Sequence, residues 1–220
     1  MIEFSVDGRS FGSKQVLSHI ELQLEIGETL CIVGPSGCGK TTLLNALSGL
    51  DGDKNAVQWK SNQPEIAYLF QQPRLLPWRT LKQNLMLVEP DEKRVVSMLE
   101  AVNLEEFVDY FPTRISLGMA RRAALARCLL VEPDLVLMDE PLVSLDTPTA
   151  QQMRQLIQKL ICEDKKRCLI YVTHDLDEAL EIGDNITVLG NAPSEVVFTA
   201  KASELSKEML EQELRNQLGL

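Results

Sequence analysis

The stretch Gly34-Pro-Ser-Gly-Cys-Gly-Lys-Thr-Thr42 decides the fold of this chain. It matches the pattern G-x-x-x-x-G-K-T, in which glycines let the backbone approach an anion without a Cβ clash. A short apolar run at 29–33 precedes it, and an apolar-rich segment at 41–47 follows it. The sequence therefore predicts a buried strand, a loop and a helix in that order, with the loop N–H groups gathered at the helix N-terminus.

We predict that this loop binds the phosphates of a nucleotide. The candidate contacts are Gly34, Pro35, Ser36, Gly37, Cys38, Gly39, Lys40, Thr41 and Thr42. Lys40 would reach the β- and γ-phosphates as a positive charge, and the Thr41 hydroxyl would be an inner ligand of Mg²⁺. The alternative is a glycine-rich turn that binds nothing, which the strand and helix on either side disfavour.

The composition excludes several classes of protein. The chain has 220 residues, of which 45% are apolar and 25% charged, as in an ordinary globular domain. Its net charge of −10 argues against nucleic acid as the main partner, because binding to phosphate backbones needs clustered Lys and Arg. The five cysteines contain no C-x-x-C pair, which is typical of reduced thiols in a cytosolic protein. No run reaches the roughly 18 apolar residues of a membrane span, so we expect a cytoplasmic chain.

Strand and helix patterns alternate along the rest of the chain. The expected strands are at 2–6, 20–26, 29–33, 65–70, 135–138 and 169–172, with a short one at 56–59. The expected helices are at 41–47, within 80–110, at 119–130 with Ser116 as N-cap, from a Thr147 N-cap and Pro148 to about 161, and at 203–220. This order predicts an α/β fold with a mostly parallel sheet, preceded by antiparallel strands and interrupted by helices. The amphipathic tail would cover the core of this chain or recruit a partner.

Polar residues follow three further predicted strands, and a parallel sheet would gather them beside the loop. Asp139 would hold Mg²⁺ mostly through water, and Glu140 would accept a proton from an attacking water. Gln71 would orient that water or join the metal shell, and His174 would hydrogen-bond the γ-phosphate or the water. Taken alone, His174 would fit a structural role better than a catalytic one.

In order and spacing these motifs resemble the ATP-binding subunit of ABC transporters, over nearly all of the chain. The resemblance identifies 34–42 as Walker A, Phe70-Gln71 as the Q-loop, 135–140 as Walker B, Ser144, Leu145 and Asp146 as the D-loop and His174 as the switch histidine. It implies ATP and Mg²⁺ as cofactors, with Lys40, Gln71, Glu140 and His174 in hydrolysis and Thr41, Gln71 and Asp139 at the metal.

The resemblance also implies a domain organisation. A single ABC ATPase domain would span 1–220, with 1–71 and 129–220 as the β subdomain and RecA-like core and 72–128 as the helical subdomain, without a C-terminal regulatory domain. Phe11 falls where the family places its adenine-stacking aromatic, and Val16 would contact the nucleotide beside it. Plain packing is the alternative for Phe11.

The segment 115–127 resembles the ABC signature, which in the family completes the nucleotide site of the opposite subunit in a head-to-tail homodimer. Ser116 and Gly118 match the pattern L-S-G-G-Q, whereas Leu117 replaces a glycine and Met119 the glutamine. We expect Leu117 to restrict the backbone and Met119 to remove a polar group.

The segment 71–78 resembles the Q-loop of importer ATPases for nitrate and sulfonates, which lies beside the groove for the permease. We expect an integral membrane permease to contact Arg74, Leu75, Leu76 and Trp78. The three apolar side chains among them would also suit the core. The chain would then hydrolyse MgATP to drive import, on the inner face of the membrane. Three alternatives are a soluble ABC ATPase, a nucleotide-dependent switch that lost catalysis through Leu117, and a small-molecule P-loop kinase.

Overall fold

The computed structural model describes residues 1–53 and 56–218. The strands are β1 Ile2–Val6, β2 Arg9–Phe11, β3 Lys14–Leu17, β4 Ile20–Leu24, β5 Thr29–Val33, β6 Val57–Trp59, β7 Ile66–Leu69, β8 Leu135–Asp139, β9 Cys168–Val172, β10 Asn185–Leu189 and β11 Val196–Lys201. The α-helices are α1 Lys40–Leu47, α2 Leu81–Leu85, α3 Glu92–Ala101, α4 Leu117–Leu130, α5 Thr147–Ile157, α6 Leu176–Ile182 and α7 Lys207–Leu218. None of these described helices is long and apolar enough to cross a membrane.

A six-stranded sheet forms the centre of the fold, in the order β11-β10-β5-β9-β8-β7. Its strands are parallel except for the edge strand β11. Every residue of β5, β8 and β9 is buried, as expected for continuous apolar strands that are covered on both faces. The predicted α/β fold is confirmed, and the carboxyl ends of the parallel strands lie at one edge of the sheet.

The antiparallel strands expected at the N-terminus are also present. β1 pairs antiparallel with β4 on one side and with β6 on the other. β4 alternates buried and exposed residues, which places Ile20, Leu22 and Leu24 in the core. The ring of Phe4 on β1 is fully buried and lies 5.4 Å from that of Trp59 on β6. This sheet thus packs against the same hydrophobic cluster as α1.

The region between β7 and β8 is helical, as predicted. α2, α3 and α4 bury leucines such as Leu81, Leu85 and Leu99 in one cluster with the central sheet. The hydroxyl of Ser116 caps α4 by accepting a hydrogen bond from the Met119 N–H, so this helix begins at 117 rather than 119. The proposed boundary between 128 and 129 lies inside α4, and the division into subdomains stays a prediction.

Several boundaries were predicted wrongly. The N-cap of α5 is Asp146 rather than Thr147, because the Asp146 carboxylate accepts hydrogen bonds from both the N–H and the hydroxyl of Thr149. This helix continues into a π-turn at Gln158–Cys162. The tail helix begins at Lys207 instead of 203, and it buries Leu210 against the core of its own chain. The short hairpin β2–β3, helix α6 and strands β10 and β11 were not predicted.

Candidate functional site

The loop between β5 and α1 has the geometry that its glycines permit. Gly37 and Gly39 have φ angles of 77° and 111°, in a region of backbone conformation that is unfavourable for residues with a Cβ atom. A Cβ at Gly39 would also lie 2.6 Å from the side chain of Leu17 on β3. The close approach of β3 and the turn into α1 both require glycine here. The predicted order of strand, loop and helix is confirmed.

A cavity of about 360 Å³ opens over this loop. Its lining residues are Val16, Ser36, Gly37, Gly39, Lys40, Thr41, Thr42 and Glu140. The fold therefore brings Val16 from β3 and Glu140 from the end of β8 to the predicted phosphate loop. The Phe11 side chain lies outside the described part of the structure, and its stacking on the adenine base stays a prediction.

Lys40 is the first residue of α1 and is 7% exposed. Its ammonium donates hydrogen bonds to the carbonyl oxygens of Gly34, at 2.8 Å, and Pro35, at 3.1 Å. An ammonium has three N–H donors, so two of them hold the loop. Phosphate binding would engage the third donor or exchange these carbonyls for phosphate oxygens.

Asp139 ends β8 directly below the loop and is only 8% exposed. Its Oδ2 accepts hydrogen bonds from the Thr41 hydroxyl at 2.9 Å and from the Tyr68 hydroxyl at 3.3 Å. Burial raises the pKa of this carboxyl, against the two hydrogen bonds, which lower it. Two predicted metal-binding residues, Thr41 and Asp139, are therefore in direct contact.

Glu140 lies between two other predicted catalytic side chains. Its Oε1 is 3.3 Å from Nδ1 of His174, and its Oε2 accepts a hydrogen bond of 3.4 Å from the Gln71 amide. The backbone of Glu140 has a φ of 46°, which is rare for a residue with a side chain. Its N–H donates to the Val172 carbonyl on β9, which fixes this bend. Gln71, Glu140 and His174 thus form one cluster, although they come from three strands.

The signature-like residues form the start of α4. Leu117 is its first residue and is 44% exposed, with a helical backbone that any L-residue adopts. Leu117 therefore fits this backbone without strain, and its effect on the signature stays a prediction. Gly118 is required for packing, because a Cβ there would lie 2.2 Å from Cγ2 of Thr149 on α5. None of the residues from Ser116 to Met119 lines the cavity over the loop.

The predicted D-loop connects Glu140 with α5. Ser144 has a φ of 64°, and the Asp146 carboxylate caps α5. Ser144 and Leu145 line a second cavity of about 500 Å³, together with His174. The predicted D-loop and the predicted switch histidine are thus neighbours across this cavity.

The loop after Gln71 is held by a residue of the following helix whose role was not predicted from the sequence. Asn84 on α2 is fully buried, and its side chain hydrogen-bonds both the N–H and the carbonyl of Leu76. The same amide donates to the carbonyls of Arg79 and Thr80. In the sequence, this role could have been recognised from an asparagine that interrupts the apolar residues of a predicted helix. Asn84 thereby fixes a loop on which Trp78 is 70% exposed.

A glycine-rich loop after a buried strand, an acidic pair after a second strand and a histidine after a third define a P-loop ATPase of the cassette type. Residues 17–143 match the model of the family described as ABC transporter. The chain belongs to this family and is an ATP-binding ATPase subunit.

The chain is similar to curated proteins and to solved structures over most of its length. It is 38% identical over 200 residues to the aliphatic sulfonates import ATP-binding protein SsuB 1 of Pseudomonas savastanoi pv. phaseolicola, covering 89% of this chain and 83% of that protein. It is 40% identical over 185 residues to SsuB 1 of Shouchella clausii, covering 83% and 74%. The dimeric ATP-binding cassette MJ0796, in a post-hydrolysis state with ADP and Pi, matches at a TM-score of 0.77 and 28% identity, covering 92% of this chain and 99% of that one.

Proposed function

We propose that this chain is the ATPase subunit of an importer, which binds MgATP, dimerises around it head to tail and drives a separate membrane permease. The observation that carries this proposal is the cluster of Glu140 with Gln71 and His174 at the edge of the phosphate-loop cavity. The names of the sulfonate-import relatives support import as the direction and a sulfonate or a related small anion as the solute.

The residues present fit Mg²⁺. Thr41 and Asp139 offer a hydroxyl and a carboxylate oxygen within 2.9 Å of each other, and Mg²⁺ prefers a few such oxygen ligands with several waters. The described residues contain no cluster of three or more His, Cys, Asp or Glu that would suit a protein-enclosed metal instead. When bound with ATP, Mg²⁺ would neutralise charge on the β- and γ-phosphates. Gln71 contacts Glu140, which favours its role at the water over its role at the metal.

Hydrolysis would proceed by in-line attack of water on the γ-phosphate. The loop N–H groups and Lys40 hold the phosphates, since both lie at the N-terminus of α1. Glu140 accepts the proton of the attacking water, and Gln71 orients that water. His174 hydrogen-bonds Glu140 and would fix its carboxylate or contact the γ-phosphate as its charge develops.

A second copy of the chain would complete the site. The cavity contains no signature residue, whereas Ser116 is exposed at the N-terminus of α4, where N–H groups favour a phosphate. The solved cassettes with the same fold are described as dimeric. Ser116 and Gly118 of one copy would therefore meet the γ-phosphate held by the other, with the D-loop beside it.

The permease would contact the loop after Gln71. Trp78 is exposed, and the half-buried Leu75 packs against the core. The Arg74 guanidinium lies 3.6 Å above the ring of Phe70, beside an apolar groove that also includes Val88. Exposed aromatic and arginine side chains often anchor protein interfaces. This contact would hold the chain on the inner face of the membrane.

Co-expression with a candidate membrane permease from the same genome tests the proposal. We expect the two proteins to purify together from solubilised membranes, and MgATP hydrolysis to depend on Glu140. The matched control is Glu195→Gln, an exposed glutamate in the turn between β10 and β11. Co-purification without any MgATP hydrolysis would favour a nucleotide switch, and hydrolysis without a membrane partner would favour a soluble ATPase.

A further inference from the structure

Helix α4 carries three arginines whose side chains donate to main-chain carbonyls of three different loops. Arg121 donates to the Pro141 carbonyl at 2.7 Å, and Arg122 donates to those of Val102 and Asn103, each at 2.8 Å. Arg127 donates to the carbonyls of Arg74 and Pro73, at 3.1 and 3.2 Å. Two of these loops follow Glu140 and Gln71 directly, whereas the third ends α3.

Arg121 is placed in a way that stability alone does not favour. The side chain is 4% exposed, its Nε has no hydrogen-bond partner among the described residues, and the described structure shows no salt bridge to it. Burial lowers the pKa of its guanidinium, as it also does for Arg122 and Arg127. A buried unpaired charge is costly, and such violations concentrate at functional sites. Arg121 donates to Pro141, the residue directly after Glu140, and Glu140 is the residue with the positive φ.

Arg127 makes the corresponding contact with the loop that follows Gln71. Its two terminal nitrogens hold two successive carbonyls, and Arg74 in this loop has a φ of 47°. A planar guanidinium suits such a forked contact, whereas the single bond of Arg121 needs only one N–H. The two loops that α4 holds in this way meet at the hydrogen bond from Gln71 to Glu140.

We propose that Arg121 and Arg127 are positioning residues that tie the signature helix α4 to the loops carrying Glu140 and Gln71. The start of α4 would face the nucleotide of the opposite subunit, so this helix links that contact to the catalytic cluster. The inference rests on the proposed roles of Glu140 and Gln71.

Kinetics of purified variants test this inference, with Arg122→Met as the matched control from the same helix. For Arg121→Met and Arg127→Met we expect kcat to fall about tenfold or more, because a misplaced base loses much of its catalytic effect. ATP affinity should stay within about twofold, since neither residue lines the phosphate-loop cavity. Arg122→Met should lose comparable thermal stability and keep kcat within about threefold, because its loop holds no catalytic residue.

Lysine substitutions separate positioning from packing. Arg121→Lys should restore most of kcat, because one N–H replaces one hydrogen bond. Arg127→Lys should restore less, because a lysine cannot reproduce the fork. If kcat follows the melting temperature equally in all three methionine variants, the arginines are only structural and the inference is wrong.

The Glu140→Gln background separates this inference from the proposed function. In that background Arg121→Met should cause no further loss of single-turnover rate, because its effect passes through Glu140. An additive loss would overturn the role of Arg121. Normal turnover by Glu140→Gln alone would instead overturn the proposed base, whatever the arginine variants do.

Discussion

Glu140 and His174 are in hydrogen-bonding contact, with Oε1 of the glutamate 3.3 Å from Nδ1 of the histidine. The two residues follow neighbouring parallel strands, and β8 pairs with β9 through Asp139 and Val172. The sheet register therefore determines that they meet. A carboxylate held by an imidazole and by the Gln71 amide is suited to accept a proton at a fixed position.

Glu140→Gln should retain ATP binding and lose turnover by about 10²–10⁴-fold, the range expected for a general base. The amide keeps the shape of the side chain and cannot accept the proton. Steady-state hydrolysis and equilibrium binding of a fluorescent ATP analogue measure the two effects. Weaker binding in parallel with slower turnover would contradict the assignment.

Lys40→Ala should weaken ATP binding roughly 10- to 100-fold, the loss expected for charged hydrogen bonds to phosphate. The variant also removes two bonds that hold the carbonyls of Gly34 and Pro35. Lys40→Arg is the control, because it retains the charge but does not fit the same small space. Unchanged ATP affinity in Lys40→Ala would exclude the phosphate loop as the main binding element.

Asp139→Asn should increase thermal stability at neutral pH and abolish Mg²⁺-dependent hydrolysis. Burial raises the pKa of Asp139 in the folded chain above its value in the unfolded chain. The folded state is therefore most stable while Asp139 is protonated, and it loses this stability as the pH rises through the folded-state pKa. An asparagine oxygen would still accept the hydrogen bonds of Thr41 and Tyr68 without carrying the charge. Melting curves at several pH values, with and without Mg²⁺, measure this. A loss of stability at neutral pH would show that the carboxylate is favourable in the fold.

The regular parts of the fold were predictable, because their patterns are local. The apolar runs of β5, β8 and β9 and the glycines before α1 determine the sheet and the loop. The positions of β10 and β11 were not predictable, since 183–201 mixes polar and apolar residues and depends on pairing with β5. The consequence of Leu117 was not predictable, because it depends on whether its backbone is helical, which the cap at Ser116 decides.

The candidate site was predictable as a set of residues but not as a network of contacts. The order of the strands implied that Gln71, Glu140 and His174 are neighbours. The sequence placed Arg121 and Arg127 on a helix without indicating that each contacts a carbonyl about 20 or 50 residues away along the chain. Side-chain bonds to backbone carbonyls leave no residue-type signal at the acceptor, since every residue has a carbonyl.

Leu117→Gly should not increase turnover, because Leu117 already has a helical backbone. Glycine near the start of α4 should destabilise the helix by about 0.5–1 kcal/mol. Leu117→Ala is the control, because it removes the same side chain without adding backbone freedom. Chemical denaturation and ATPase assays on both variants measure this. A several-fold gain in turnover specific to glycine would restore the view that leucine restrains the signature.

Trp78→Ala should weaken binding of the permease by about 30-fold, the loss that corresponds to about 2 kcal/mol at an interface hot spot. Its ATP affinity should not change, since Trp78 lies outside the cavity over the phosphate loop. Binding of the detergent-solubilised permease to the immobilised chain measures the effect. Trp59→Phe, within the N-terminal sheet, provides a control for loss of a tryptophan. Equal permease binding by the Trp78 variant would place the interface elsewhere.

Sedimentation velocity of Glu140→Gln with MgATP tests whether a second copy completes the ATP site through Ser116. We expect a particle of about twice the 24.7 kDa of one chain. Adding Ser116→Asp should return it to a monomer, because aspartate caps α4 as well as serine but places a negative charge against the γ-phosphate. An ATP-loaded chain that stays monomeric without the Ser116 change, or a dimer that Ser116→Asp leaves intact, would show that Ser116 does not complete the site of a second copy.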